Sequence, residues 1–133
     1  MTRSSVRYTL LVALLLSAGC ASTSATDGGK GTLDRIKTSK SIALGYRQSS
    51  VPFSAVGADG KPVGYSIDLC TQVANDIGRD LGIADLAVKW VPVSVESRMA
   101  AVRDGTIDLE CGSTTNTLSR QAEVDFSLTT FIT

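Results

Sequence analysis

The segment that most constrains this chain is residues 106–120, where a short strand runs directly into a cluster of hydrogen-bonding groups. Apolar residues alternate with acidic ones at its start, which predicts a strand. The strand is expected to end at Gly112, and three hydroxyl residues follow it, Ser113, Thr114 and Thr115. Thr117 is the predicted N-cap of a short helical turn that carries Arg120.

This arrangement brings backbone N–H groups, hydroxyls and a guanidinium together where a strand ends and a helix begins. Such a collection suits a small anion, and a carboxylate in particular. The same residues also fit an ordinary capped strand-turn-helix with a solvated arginine. Spacing alone leaves both interpretations open.

The remaining elements predict an α/β fold with a mixed or parallel sheet flanked by helices. We expect strands at residues 41–46, 86–93 and 106–111, and a hairpin with its turn at residues 59–60. Helices are expected at residues 33–40, at 66–81 with Ser66 as N-cap, and from a Ser94 cap to about Gly105. The inward faces of the first two helices are predicted to be formed by Leu33, Ile36, Ile67, Cys70, Val73, Ala74, Ile77 and Leu81.

Ligands of open α/β sheets bind beyond the carboxyl ends of the strands. Three segments follow those ends on this prediction: Arg47, residues 94–98 and residues 112–120. They are far apart in sequence and are expected to converge in space.

The run from Glu110 to Asn116, Glu-Cys-Gly-Ser-Thr-Thr-Asn, is followed by Ser-Arg-Gln and by Val-Asp-Phe-Ser at residues 124–127. It resembles the first lobe of periplasmic solute-binding proteins of amino-acid ABC importers (solute-binding protein family 3), in the glutamate/aspartate-binding branch. The resemblance runs from about Leu33 to the end of the chain. It implies a periplasmic-binding-protein type II-like lobe. Because the family has two lobes, we expect a chain truncated before the second.

The resemblance also implies roles for individual residues. Ser113, Thr115 and Arg120 match residues that hold the ligand's α-carboxylate, and Arg47 and Arg98 match arginines that hold its side-chain carboxylate.

Two further positions qualify that match. Phe53 matches an aromatic that packs on the ligand, although a core role is equally compatible. Where the branch has a hydroxyl this chain has Val95, so Ser94 or Ser97 is the expected substitute.

Residues 1–20 have the parts of a lipoprotein signal peptide: Arg3 and Arg7, an apolar run at residues 10–16, and small residues before Cys20. We expect Cys20 to carry lipid, with a plain signal peptide cut near Ala21 as the alternative. Residues 21–31 are small and polar, which predicts a flexible linker. Residues 32–133 would then form the incomplete first lobe.

Composition excludes several classes of function. Lys plus Arg equals Asp plus Glu, 13 against 13, and without Arg3 and Arg7 the balance is 11 against 13, a net of −2. We therefore expect no nucleic-acid partner. The chain has no histidine, and no nucleophile elbow or phosphate loop is present, so we expect no catalytic residue, metal or cofactor. Asp108 and Glu110 share a strand face, but no other residue supports an acid/base site.

Cys70 and Cys111 are expected to come close together, since helices that run antiparallel to the strands would place them at the same end. Free thiols are slightly favoured over a disulfide. We expect this protein to be an anchored monomer that binds glutamate or aspartate in the periplasm and serves an inner-membrane ABC permease. The alternatives are a periplasmic dehydratase on the same fold and a sensor module without transport.

Overall fold

Two small sheets organise residues 31–132, the part of the chain that the computed structural model describes. The strands are β1 (Ser41–Tyr46), β2 (Ser49–Ser50), β3 (Ser54–Val56), β4 (Pro62–Val63), β5 (Ala87–Pro92) and β6 (Leu109–Cys111). The helices are α1 (Thr32–Ser39), α2 (Tyr65–Asp80), α3 (Arg98–Arg103) and α4 (Leu118–Gln121). The predicted signal peptide with Cys20, and the linker as far as residue 30, lie outside the described residues.

The main sheet is parallel, with strand order β5-β1-β6. β1 is central, and its residues Ile42, Leu44 and Tyr46 are buried in the core that the sheet forms with α1 and α2. Tyr46 is in register with Pro92 of β5 and with Cys111 of β6. The three strands therefore end in one row, and the chain leaves all of them at the same edge. This confirms the predicted α/β architecture.

A separate antiparallel sheet, β2-β3-β4, lies between β1 and α2 in sequence. Its β3–β4 turn is at the predicted position, where Gly60 has a φ of 78°. Glycine adopts this left-handed conformation without steric cost. β2 follows β1 after two residues and pairs with β3.

The core forms where α1 and α2 cover the parallel sheet. Ile36 of α1 and the stripe Ile67, Cys70, Ala74 and Gly78 of α2 are buried. The prediction of an inward position is wrong for two residues, since the exposed fraction is 54% for Leu33 and 42% for Val73. Val73 is one position from Ala74, and one residue turns a side chain by about 100° around a helix.

Ser66 is not the N-cap of α2. The helix begins at Tyr65 with Gly64 as its cap residue, and Gly64 has a φ of 130°. The Ser66 hydroxyl instead donates to the carbonyl oxygen of Gly112, 2.7 Å away. The side chain expected to start a helix thus holds the loop after β6.

The preference for free thiols is also wrong, because Cys70 and Cys111 form a disulfide, with 6.1 Å between their Cα atoms. The start of α2 lies over the carboxyl end of β6, and this placement brings the two cysteines together. The disulfide and the hydrogen bond of Ser66 together hold the end of β6 against α2. No helix within residues 31–132 is long and apolar enough to cross a membrane.

Candidate ligand-binding site

The predicted site residues meet at the edge where the parallel strands end. Arg47 follows β1, Arg98 begins α3 after β5, and residues 112–120 follow β6. The hydroxyl of Ser113 lies 2.8 Å from that of Ser50 in β2. The Arg47 side chain lies against Gly112, and the charges of Arg47, Glu110 and Arg120 act on Arg98. The predicted convergence of these three segments is therefore confirmed, although contact with a ligand stays a prediction.

Arg98 is the most unusual of these residues, because only 6% of it is exposed. Its Nε atom is buried and has no hydrogen-bond partner. Burial lowers the pKa of the Arg98 guanidinium; the nearby Glu110 carboxylate opposes this shift, and Arg120 and Arg47 add to it. Arginine stays protonated even so. A buried cation without a partner creates a strong demand for an anionic hydrogen-bond acceptor.

Arg47 is held in place by its backbone. Its N–H donates to the hydroxyl of the fully buried Ser54 at 2.9 Å, and that hydroxyl donates to the Arg47 carbonyl oxygen at 2.8 Å. The side chain of Arg47 passes over Gly112, where an added Cβ atom would lie 3.1 Å from the Arg47 Cγ atom. The absence of a side chain at Gly112 thus lets Arg47 lie close to the loop after β6.

The loop after β6 presents its hydroxyls in different environments. Ser113 and Thr115 are exposed, whereas the Thr114 Oγ1 atom is buried without a hydrogen-bond partner. Thr117 caps α4 as predicted, since its side chain accepts from the N–H of Arg120 at 3.4 Å. The Arg120 guanidinium donates to the Thr115 carbonyl oxygen at 2.8 Å, so it already has one partner.

The predicted Ser94 cap of α3 is wrong. α3 begins at Arg98, after a turn in which the Ser94 hydroxyl accepts from the backbone N–H groups of Glu96 and Ser97. The Ser94 hydroxyl also lies 3.3 Å from that of Ser97. These contacts occupy both serines that were expected to replace the missing hydroxyl at Val95, which is 47% exposed.

Phe53 lies in an aromatic cluster with Tyr65 and Phe131. The ring centroids are 6.3 Å and 4.9 Å from that of Phe53. The Tyr65 hydroxyl also donates to the Thr130 carbonyl oxygen at 2.9 Å. Phe53 therefore has a packing role, and its contact with a ligand stays a prediction.

Sequence reasoning did not recognise Glu110 as part of the site. Asp108, two residues earlier, forms an ion pair with Arg35 and accepts from the N–H of Ala43 at 2.8 Å. Glu110 has no such partner for its buried Oε1 atom. The alternation of acidic residues was the available signal, but it could not tell these two carboxylates apart. Within residues 31–132 no group of His, Cys, Asp or Glu side chains could hold a metal ion.

The fold is an α/β lobe with a cluster of arginines at the edge where its parallel strands end. A family model described as bacterial extracellular solute-binding proteins, family 3, matches residues 42–133, and the chain belongs to this family. The resemblance and the exported location expected from the sequence are thereby confirmed at the level of the family.

Individual relatives and solved structures are similar to this chain in sequence and fold. The chain is 43% identical over 128 residues to the L-glutamate/L-aspartate-binding protein of Pseudomonas aeruginosa. The match covers 96% of this chain and 41% of that protein. It is 41% identical over 125 residues to the glutamate/aspartate import solute-binding protein of Escherichia coli, covering 93% of this chain and 41% of that protein. The chain thus spans about two fifths of the length of these relatives.

Among solved structures, the ancestral amino acid-binding protein AncCDT-1, a precursor of cyclohexadienyl dehydratase, matches with a TM-score of 0.63 at 28% identity. That match covers 73% of this chain and 40% of the other. The solute receptor for L-cysteine of Neisseria gonorrhoeae matches with a TM-score of 0.62 at 32% identity, covering 71% of this chain and 37% of the other.

Proposed function

We propose that this chain supplies the part of a solute-binding protein that recognises an acidic amino acid, glutamate or aspartate, for delivery to an ABC importer. The observation that carries the proposal is the buried Arg98 side chain, whose Nε atom has no hydrogen-bond partner, near the charges of Arg47 and Arg120. The names of the relatives from P. aeruginosa and E. coli support the same ligand class. These relatives are named as binding proteins, which favours binding over catalysis.

The proposed roles divide the ligand between two groups of residues. Arg47 and Arg98 bind the side-chain carboxylate, while Ser113, Thr115 and Arg120 bind the α-carboxylate. A neutral side chain would leave the Arg98 guanidinium desolvated and unpaired, which costs free energy. An acidic side chain supplies the missing acceptor through charge-assisted hydrogen bonds. Phe53 is proposed to pack on the aliphatic part of the ligand. The Ser94 hydroxyl is proposed to donate to the side-chain carboxylate in place of the Ser97 hydroxyl when a ligand is bound.

The first prediction concerns ligand choice, and its test is calorimetry on two proteins. One is the chain from residue 21; the other is the same chain fused to the remaining sequence of the P. aeruginosa relative. We expect the fusion to bind glutamate and aspartate at least about tenfold more tightly than glutamine, a difference of about 1.4 kcal/mol. The unfused chain should bind weakly, because it supplies only part of the ligand's contacts.

Two results would contradict the ligand assignment. One is a fusion that binds glutamine as tightly as glutamate, and the other is a fusion that binds neither. Micromolar binding of glutamate by the unfused chain would keep the assignment and refute the need for the remaining sequence.

We further propose that residues 1–20 are a lipoprotein signal peptide, that Cys20 is lipidated and that residues 21–31 tether the binding lobe to the membrane. The support is in the sequence: Arg3, Arg7, the apolar run and the small residues before Cys20. An anchored monomer beside its ABC permease would hold the bound amino acid close to the transporter.

The second prediction tests the anchor. Metabolic labelling with a palmitate analogue should mark the wild-type protein and should not mark Cys20→Ser. Cys70→Ser is the matched control, because it removes another cysteine and should leave the label unchanged. Equal labelling of wild type and Cys20→Ser would refute the anchor.

A further inference from the structure

We infer that Glu110 is a built-in counter-charge of the ligand site and that it sets how strongly Arg98 discriminates anionic ligands from neutral ones. The inference rests on the proposed function, which it deepens by naming a residue that controls selectivity. None of the roles carried over from the family resemblance includes Glu110.

The first step is that Glu110 and Arg98 each have a buried polar atom without a hydrogen-bond partner. Glu110 lies in β6, next to the disulfide-bonded Cys111, and its Oε1 atom is buried without a hydrogen-bond partner. The Nε atom of Arg98 is in the same condition. Among the ion pairs of residues 31–132 there is none between these two groups. Glu110 therefore acts on Arg98 through space and leaves the guanidinium available to a ligand.

The second step is that Gly112 leaves room for the Glu110 carboxylate next to the side chain of Arg47. A Cβ atom at Gly112 would collide with the Glu110 carboxylate and would press on the Cγ atom of Arg47. The space left by the missing side chain is thus occupied by Glu110 on one side and Arg47 on the other. With Arg98 also within electrostatic range, Glu110 lies among the cations of the site.

The third step is the balance of charges around Arg98. Besides Glu110, the charged groups that act on it are Arg47, Arg120 and Glu96. Glu96 is fully exposed, and water and salt screen its charge. Asp108, the other acidic residue on the Glu110 face of the strand, is engaged by Arg35. Glu110 is therefore the half-buried carboxylate that offsets the positive charge of Arg98.

A counter-charge in this position has two opposite effects. It stabilises the ligand-free lobe, because a buried guanidinium without an anion nearby is costly. It also repels the carboxylate of an acidic ligand, because the two negative charges would face the same cation. Glu110 thus lowers the affinity for acidic ligands in exchange for a stable empty site, and a neutral ligand feels little of this repulsion.

The first test compares Glu110→Gln with the matched control Glu96→Gln in the full chain. The probes are L-glutamate and L-glutamine at millimolar concentration, followed by NMR chemical-shift titration. We expect Glu110→Gln to raise the ratio of glutamate to glutamine affinity about tenfold, a typical size for one poorly screened charge at short range. Glu96→Gln should change the ratio less than about twofold. A ratio that stays constant or falls in Glu110→Gln overturns the inference.

The second test needs no amino acid and so separates this inference from the proposed function. Without ligand, Glu110→Gln should lower the midpoint of thermal unfolding. Sodium sulfate should raise this midpoint by more in Glu110→Gln than in the wild type. Glu96→Gln should leave the midpoint unchanged. If the fusion described above binds neither amino acid but Glu110→Gln shows this behaviour, the proposed function fails and the counter-charge stands. An unchanged or raised midpoint in Glu110→Gln overturns the counter-charge.

Glu110→Asp separates the effect of charge from the effect of side-chain packing. It keeps the charge and shortens the side chain by one methylene, so the affinity ratio should stay within about twofold of the wild type if charge is what matters. A tenfold rise in Glu110→Asp as well would assign the effect to packing and overturn the inference.

Discussion

The two halves of the candidate site differ in how completely their cations are satisfied before any ligand arrives. In the arginine half, formed by Arg47 and Arg98, the Arg98 guanidinium is buried and its Nε has no partner. In the hydroxyl half, formed by Ser113, Thr115 and Arg120, the side chains are more exposed, and Arg120 already donates to the Thr115 carbonyl oxygen.

This difference teaches where selectivity arises. A charge removed from water interacts strongly with a ligand of opposite charge. When the ligand lacks that charge, water does not replace the lost interaction. A charge that keeps water and one internal partner loses little when the ligand changes. The arginine half should therefore decide which amino acid binds, and the hydroxyl half should add affinity that all amino acids share.

The largest effect is expected from Arg98→Ala in the fusion described above. Losing one partner of a buried charge pair typically costs about 2–5 kcal/mol of binding, which is roughly 30-fold to several-thousand-fold in affinity. We expect this loss for glutamate and aspartate and little change for glutamine. Calorimetry with the three ligands measures it, and Arg103→Ala, at the exposed end of the same helix, is the control. An unchanged ranking of the three ligands would refute the role of Arg98 and direct attention to Val95.

The next effect is on the stability of the hydroxyl half. Replacing both Cys70 and Cys111 by serine should lower the free energy of unfolding by about 2–4 kcal/mol, since the disulfide closes a long loop in the unfolded chain. Ser66→Ala removes only the hydrogen bond to Gly112 and should cost about 1 kcal/mol. Urea denaturation of the chain from residue 21 compares the two. If the double serine variant is as stable as the wild type, the end of β6 does not depend on its attachment to α2.

The smallest effect is expected from Arg120→Ala. Its guanidinium is only half-buried, so water compensates part of the loss, and binding should weaken by about 1 kcal/mol, roughly fivefold. Because the α-carboxylate is common to all amino acids, glutamate, aspartate and glutamine should weaken alike in the calorimetry used for Arg98→Ala. A selective loss of the acidic ligands would remove the distinction between the two halves of the site.

Much of the architecture could be predicted because it depends on local patterns. β1 occupies the residues at which a strand was expected, and Thr117 caps α4 because a hydroxyl before a helix satisfies a free backbone N–H. The convergence of Arg47, Arg98 and the loop after Gly112 followed from a general property of parallel sheets, whose strands end at one edge.

Other features were decided only by the packing of elements against one another. The hydroxyls of Ser66 and Ser94 both looked like helix caps, but one holds the Gly112 carbonyl oxygen and the other closes a turn. The closeness of Cys70 and Cys111 was predicted from the direction of the helix, but their pairing as a disulfide was not.

The sequence by itself determined which residues reach the edge of the sheet, since hydrophobic period, capping chemistry and strand ends are properties of neighbouring residues. Only the tertiary structure decided that Arg98 is buried, and that the Glu110 Oε1 atom is buried without a partner while Asp108 is paired. Burial depends on which surfaces meet, and a charged side chain has the same local pattern whether it faces water or the interior. The residues proposed to control selectivity are therefore the ones that sequence patterns describe least well.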